Sequence, residues 1–138
     1  WDSTINGIMS YDLDNVYMFK PTIGKQPKMQ NDSGSFVNSF YFCTFNEEYS
    51  MSDLEAYKKA LNNTEEFSDY WWYATLEPTF EQSDPKPDFI WLDIWGSKED
   101  KSSDSEIFSQ TNLPAVVDEQ FNCLTDAVGG FSGAVIRS

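Results

Sequence analysis

Aromatic and aliphatic positions alternate with period two through Phe89-Ile90-Trp91-Leu92-Asp93-Ile94-Trp95, with Asp93 the one polar residue, and this pattern predicts a strand. Ile90, Leu92 and Ile94 share one face, and Phe89, Trp91, Asp93 and Trp95 share the other. The first face is aliphatic and suits a helix layer. The second is aromatic with one carboxylate in its middle, and it suits a pocket or a partner.

The same reading places further elements along the chain. Val16-Tyr17-Met18-Phe19 predicts a short strand, after which Pro21, Gly24 and Pro27 break regular structure. The turn cluster Asn31-Asp32-Ser33-Gly34 separates residues 1–32, an N-terminal extension or arm, from a main unit over residues 33–138. Phe36 to Phe45 is apolar on both faces, with Phe40 and Phe42 on one and Tyr41, Cys43 and Phe45 on the other, as expected of a central strand. A helix follows, with Ser52 and Glu55 as a capping box and Leu54, Tyr57 and Leu61 at helical spacing. Tyr70 to Glu77 predicts a strand with Trp71, Tyr73, Thr75 and Glu77 on one face and Trp72, Ala74 and Leu76 on the other. Lys98 to Thr111 is charged and polar, with a short helix around Ile107 and Phe108. A second helix is expected from Asn112-Leu113-Pro114, burying Val116, Val117, Gln120, Phe121 and Leu124. Gly129-Gly130 then turns the chain into a last strand, Phe131 to Ile136.

From Phe36 onward the order is strand, helix, strand, strand, helix, strand. This βαββαβ order resembles the ferredoxin-like fold, an α+β architecture with a four-stranded antiparallel sheet and two helices on one face. The aromatic second sheet face, the broken second helix and the length are similar to the dimeric α/β-barrel superfamily, which includes antibiotic-biosynthesis monooxygenases and stress-responsive barrel proteins. The resemblance implies a strand order of fourth, first, third, second. It also implies a homodimer in which two sheets close face to face around a cavity. Trp71, Tyr73, Trp91, Asp93 and Trp95 would face that cavity as ligand-binding residues.

Composition narrows the chemistry. Aromatic residues make up 17% of the 138 residues, more than a chain readily leaves wet. The formal charge of -14 repels phosphate backbones, which argues against nucleic acid as a partner. No apolar run is long enough for membrane insertion as a helix. Histidine is absent, which excludes Ser-His-Asp and Cys-His nucleophile systems and a haem on a proximal histidine. Neither a cofactor nor a metal is expected. Cys43 and Cys123 read as two small buried hydrophobes near one another, with free thiols expected; a disulfide between them would indicate an oxidising compartment. The chain begins at Trp1, so a preceding segment is expected to have been removed or omitted, and localisation is open. Asn31-Asp32-Ser33 and Asn62-Asn63-Thr64 match the glycosylation pattern.

Asp93 is the sharpest candidate for chemistry. A carboxylate between Trp91 and Trp95 is desolvated, its pKa should rise, and it could serve as a catalytic acid or base. The structural alternative is a pairing with a basic residue, for which Arg137 on the last strand is placed best, or a position that reaches solvent at a groove. Glu77 could share the face of Asp93 on a neighbouring strand. The acidic run Glu99, Asp100, Asp104 and Glu106 lacks the spacing of a calcium loop and reads as a solvated surface. Three functions follow. The leading one is binding of a small, mainly apolar molecule with a neutral or cationic polar end, or with a carboxylate if burial keeps Asp93 protonated. The second is a cofactor-independent monooxygenase or isomerase using Asp93. The third is a non-catalytic dimeric interaction module.

Overall fold

The alternation at residues 89–95 forms a strand in the middle of one antiparallel sheet. The computed structural model describes residues 18–79, 87–124 and 130–134. Its elements in chain order are β1 (Phe19–Lys25), β2 (Ser35–Phe45), α1 (Met51–Asn62), β3 (Trp72–Pro78), β4 (Phe89–Trp95), α2 (Lys98–Ser109), α3 (Leu113–Gln120), β5 (Phe121–Leu124) and β6 (Gly130–Ala134). The sheet order is β1-β3-β4-β2-β5, and β6 also pairs with β2. The described pairings are antiparallel.

The architecture is therefore α+β, but the described residues form six strands rather than four and three helices rather than two. Two local features account for the extra strands. The final strand is split along one edge of β2, with β5 on Phe42–Phe45 and β6 on Ser35–Ser39. At the opposite edge β1 pairs with β3, so the described end of the 1–32 segment is part of the sheet. Pro21 and Gly24 lie inside β1 instead of ending it. An edge strand needs only one row of ladder donors, so it tolerates proline. Gly24 coincides with a register shift, and a Cβ there would overlap the Tyr73 ring, which is fully buried. Glycine lets the edge strand close over that ring. Val16 and Tyr17 of the expected first strand lie outside the described residues.

The helices also differ from the sequence reading. The first starts two residues early: Ser50 is the N-cap, and the Asp53 carboxylate accepts its backbone N–H at 2.8 Å. The second covers Lys98–Ser109 in full, capped by Ser97, whose hydroxyl accepts from the Asp100 N–H. Its inward positions include Lys101 and Asp104, so hydrophobic periodicity could not reveal it. The third ends at Gln120, and Phe121 and Leu124 belong to β5, not to a helix face.

The largest correction concerns the faces of the sheet. In register, Val37 lies opposite Trp95, Ser39 opposite Asp93, Tyr41 opposite Trp91 and Cys43 opposite Phe89. These residues therefore share one face, and that face packs on Leu54, Tyr57 and Leu61 of α1 and Leu113 of α3. The aromatic side of β4 is the helix side, and Ile90, Leu92 and Ile94 point away from the helices. Large rings bury roughly 150–250 Å² each, so enclosing Phe89, Trp91 and Trp95 yields more than enclosing three aliphatics. Rings run in sequence through this layer. Trp71 and Tyr73 have centroids 5.4 Å apart, Tyr73 stacks on Trp91 at 4.3 Å, and Tyr57 meets Trp91 edge-on at 5.7 Å. Phe121 contacts both Tyr57 and Phe89, and Phe89 contacts Phe45.

Cys43 and Cys123 are direct cross-strand neighbours and form a disulfide, where free thiols were expected. Sequence separation hides this pairing, because only the return of β5 to the outer edge of β2 brings the two together. Eighty residues separate them, so in the chain-entropy view the bridge stabilises the fold by on the order of 4 kcal/mol. Alkylation under denaturing conditions without reductant should therefore add no groups in intact-mass measurement. A Cys43→Ala/Cys123→Ala variant should lose a comparable stability in denaturant unfolding. Two added groups in the untreated protein would contradict the bridge.

Candidate functional site

Between the helices and the sheet lies a cavity of about 230 Å³. Trp91 and Asp93 of β4, Tyr41 and Cys43 of β2, and Phe121 and Cys123 of β5 contribute from the sheet. The helical side comes from Tyr57 and Leu61 of α1, Asp104, Ser105 and Phe108 of α2, and Val117 of α3. Its position follows from the packing: α3 touches both α1 and α2, and the space among the three over β4 is walled mainly by rings.

Two carboxylates line this aromatic space, and each is held by an indole. Trp71 donates its Nε1–H to Asp93 Oδ1 at 3.0 Å. Trp95 donates its Nε1–H to Asp104 Oδ2 at 3.0 Å, and the Ser68 backbone N–H donates to Asp104 Oδ1 at 2.8 Å. A cation lies near each of these indoles: Lys25 Nζ is 4.8 Å from the Trp71 ring centroid and Lys101 Nζ is 5.6 Å from that of Trp95. Lys101 also donates to Ser39 Oγ at 2.7 Å. Among the described residues neither carboxylate forms a salt bridge, and no lysine or arginine lines the cavity.

Burial sets the electrostatics. Desolvation pushes the Asp93 carboxyl up to about 6, although Asp93 keeps some solvent contact. The indoles of Trp91 and Trp71 and the charge of Lys101 pull the other way, while Asp104 raises it further. Desolvation likewise raises Asp104, opposed by the Ser68 and Trp95 N–H groups. Burial raises the Tyr41 and Tyr57 hydroxyls, so both are neutral donors at ordinary pH. The Lys25 ammonium is lowered by desolvation first and by Lys28 second.

Of the residues singled out from the sequence, Trp71, Trp91, Asp93 and Trp95 line the cavity together. Tyr73 does not line it. It is fully buried, stacked on Trp91, with its hydroxyl donating to Asn62 Oδ1 at 2.8 Å. The cavity is on the helical side of the sheet, not the open side expected for a dimeric barrel. Glu77 is not the second acid: Tyr73 is the residue opposite Asp93, and Glu77 is four positions further along β3, paired with Lys20. That part belongs to Asp104, which had read as solvated surface. The signal for it was weak: a helix stripe of Lys101, Asp104 and Phe108 in which only the last is apolar. Arg137, the expected partner of Asp93, lies outside the described residues. Both glycosylation-pattern asparagines use their side-chain amides within the fold, Asn62 toward the Gly24 carbonyl and Asn31 toward the Ser35 carbonyl.

Among the described residues no group of three or more His, Cys, Asp or Glu side chains could hold a metal ion. No helix among them is long and apolar enough to cross a membrane. Comparison with protein-family models, with curated proteins and with solved structures gave no match in any of the three.

The raised Asp93 carboxyl makes a signed prediction. A folded value of about 6 against 3.8 for the ordinary carboxyl means that protonation favours the fold. This contribution is present in full below pH 4 and is lost as pH rises through 6. Asp93→Asn keeps an acceptor for Trp71 but does not titrate. Relative to wild type, the variant should gain up to about 3 kcal/mol between pH 4 and pH 7.5 in paired urea unfolding curves, an upper figure because Asp93 is not fully enclosed. A pH-independent difference between the two proteins would show that the carboxyl is not desolvated.

Proposed function

We propose that this chain binds a small, mainly apolar molecule in the cavity between its sheet and its helices. One observation carries the reading: a space of about 230 Å³ walled by aromatic rings that also holds two indole-bonded carboxylates. A side-chain-lined cavity of roughly 150 Å³ accommodates benzene, while drug-sized ligands take roughly 300–1,000 Å³. The volume therefore suits a molecule of one or two rings. An interaction module would have no use for this space, and its rings would be expected to fill it. The Cys43–Cys123 bridge fits an oxidising compartment, where disulfides persist.

The strand order supports a ferredoxin-like reading with an added edge strand. From β2 onward the last strand lies beside the first, the first beside the third and the third beside the second. A homodimer on the pattern of the α/β-barrel superfamily would use the sheet face away from the helices, which carries Phe42, Trp72, Leu76, Leu92 and Ile94. Sedimentation at micromolar concentration should then give twice the chain mass, and a stable monomer would rule the dimer out. The raised carboxyl of Asp93 favours one second reading, a cofactor-independent monooxygenase or isomerase with Asp93 as acid or base.

The test of binding is direct. Mass spectrometry of the purified, denatured protein should release a small organic molecule. Stripped protein should respond in tryptophan fluorescence to a panel of aromatic amines, phenolics and fatty acids. Conversion of a bound compound, abolished in Asp93→Asn, would favour the enzyme. No released molecule and no response to any of the panel would sink the binding reading.

A further inference from the structure

Resting on that reading, we propose that the occupant is a small amine in its ammonium form, with its apolar body among Tyr57, Trp91 and Phe121 and its positive end at Asp93, Asp104 supplying the second negative charge.

The chemistry of the wall selects the ligand. Asp93 and Asp104 both line the cavity, and among the described residues no basic side chain lines it with them. Each is already fixed by protein donors: Asp93 by Trp71, Asp104 by Trp95 and Ser68. A carboxylate offers about four lone-pair sites, so these contacts orient the groups without exhausting them. The nearest cations do not occupy the space. Lys101 is held on Ser39 Oγ over Trp95, and Lys25 lies over Trp71. They temper the field at the carboxylates but do not neutralise it by contact.

The rings act in the same direction. Their faces are electron-rich, so a cation against Trp91 or Tyr57 gains from both the ring and the acid. An anion would meet two carboxylates in a partly desolvated space. A neutral alcohol could donate a hydrogen bond to Asp93 but would lack the charge–charge attraction and the ring contacts open to a cation. The formal charge of -14 on the whole chain adds a long-range attraction for cations. The volume limits the body of the amine to one or two rings or an equivalent alkyl group.

Three probes of nearly one shape separate the possibilities: 2-phenylethylamine, 2-phenylethanol and phenylacetate. Calorimetric titration of the full chain at pH 7.5 should show the amine binding about tenfold or more tighter than the alcohol, from a charge-assisted hydrogen bond and ring contacts. Phenylacetate should bind more weakly than the alcohol. In Asp93→Asn the preference for amine over alcohol should disappear; if that variant does not fold, the wild-type ranking decides alone. Alcohol or phenylacetate binding as tightly as the amine would overturn the amine while leaving a ligand cavity in place. Binding of none of the three, with no molecule released from the purified protein, would overturn the cavity reading and the amine with it.

Discussion

Two indole–carboxylate hydrogen bonds decide how this chain can be folded. Trp71 to Asp93 and Trp95 to Asp104 let an aromatic sheet face that carries an acid turn inward. A buried carboxylate without a donor would cost several kcal/mol, enough to expel it. With the indoles in place the carboxyls stay, at the cost of a raised proton affinity. The helices can then close over Phe89, Trp91 and Trp95, and the bulk of those rings fixes the spacing between the layers. The cavity is what remains where rings and acids cannot interlock as aliphatic side chains do.

The sheet edges hold this arrangement from both sides. At one edge β1 lies over Tyr73 through Gly24, and Asn62 at the end of α1 ties the Tyr73 hydroxyl and the Gly24 carbonyl together. At the other edge the Cys43–Cys123 disulfide fastens β5 to β2 beside the cavity, where both cysteines contribute to the lining. Lys58 adds an anchor between the layers, with its ammonium donating to Thr75 Oγ1 at 3.0 Å and to Glu55 at 2.8 Å. That lysine is buried, so it bridges α1 and β3 in addition to any favourable interaction with the helix dipole.

The alternation of residues 89–95, the helix around Leu54, Tyr57 and Leu61, and the apolar double face of β2 were legible because local periodicity sets them. The grouping of Trp71, Trp91, Asp93 and Trp95 was legible for the same reason. Their direction was not. Both faces of β4 are apolar, so period alone cannot say which meets the helices, and the answer depends on donors contributed by Trp71 and by residues of other elements. Asp104 was missed because α2 turns charged positions inward, which reads locally as a solvated helix. The disulfide and the strand at Pro21 and Gly24 were missed for a third reason. Each depends on pairing with distant residues at a sheet edge, and local composition points to turns and free thiols.

The two acids lie inside the aromatic layer bonded to indoles, and the indole protons report on this directly. In a nitrogen–proton correlation spectrum, the side-chain N–H signals of Trp71 and Trp95, assigned by tryptophan-to-phenylalanine variants, should exchange slowly with water. The Trp71 signal should also move with a midpoint near pH 6 as Asp93 titrates. Rapid exchange of both signals, with a Trp71 shift unchanged between pH 4 and pH 8, would contradict the structure's central arrangement and the ligand site built on it.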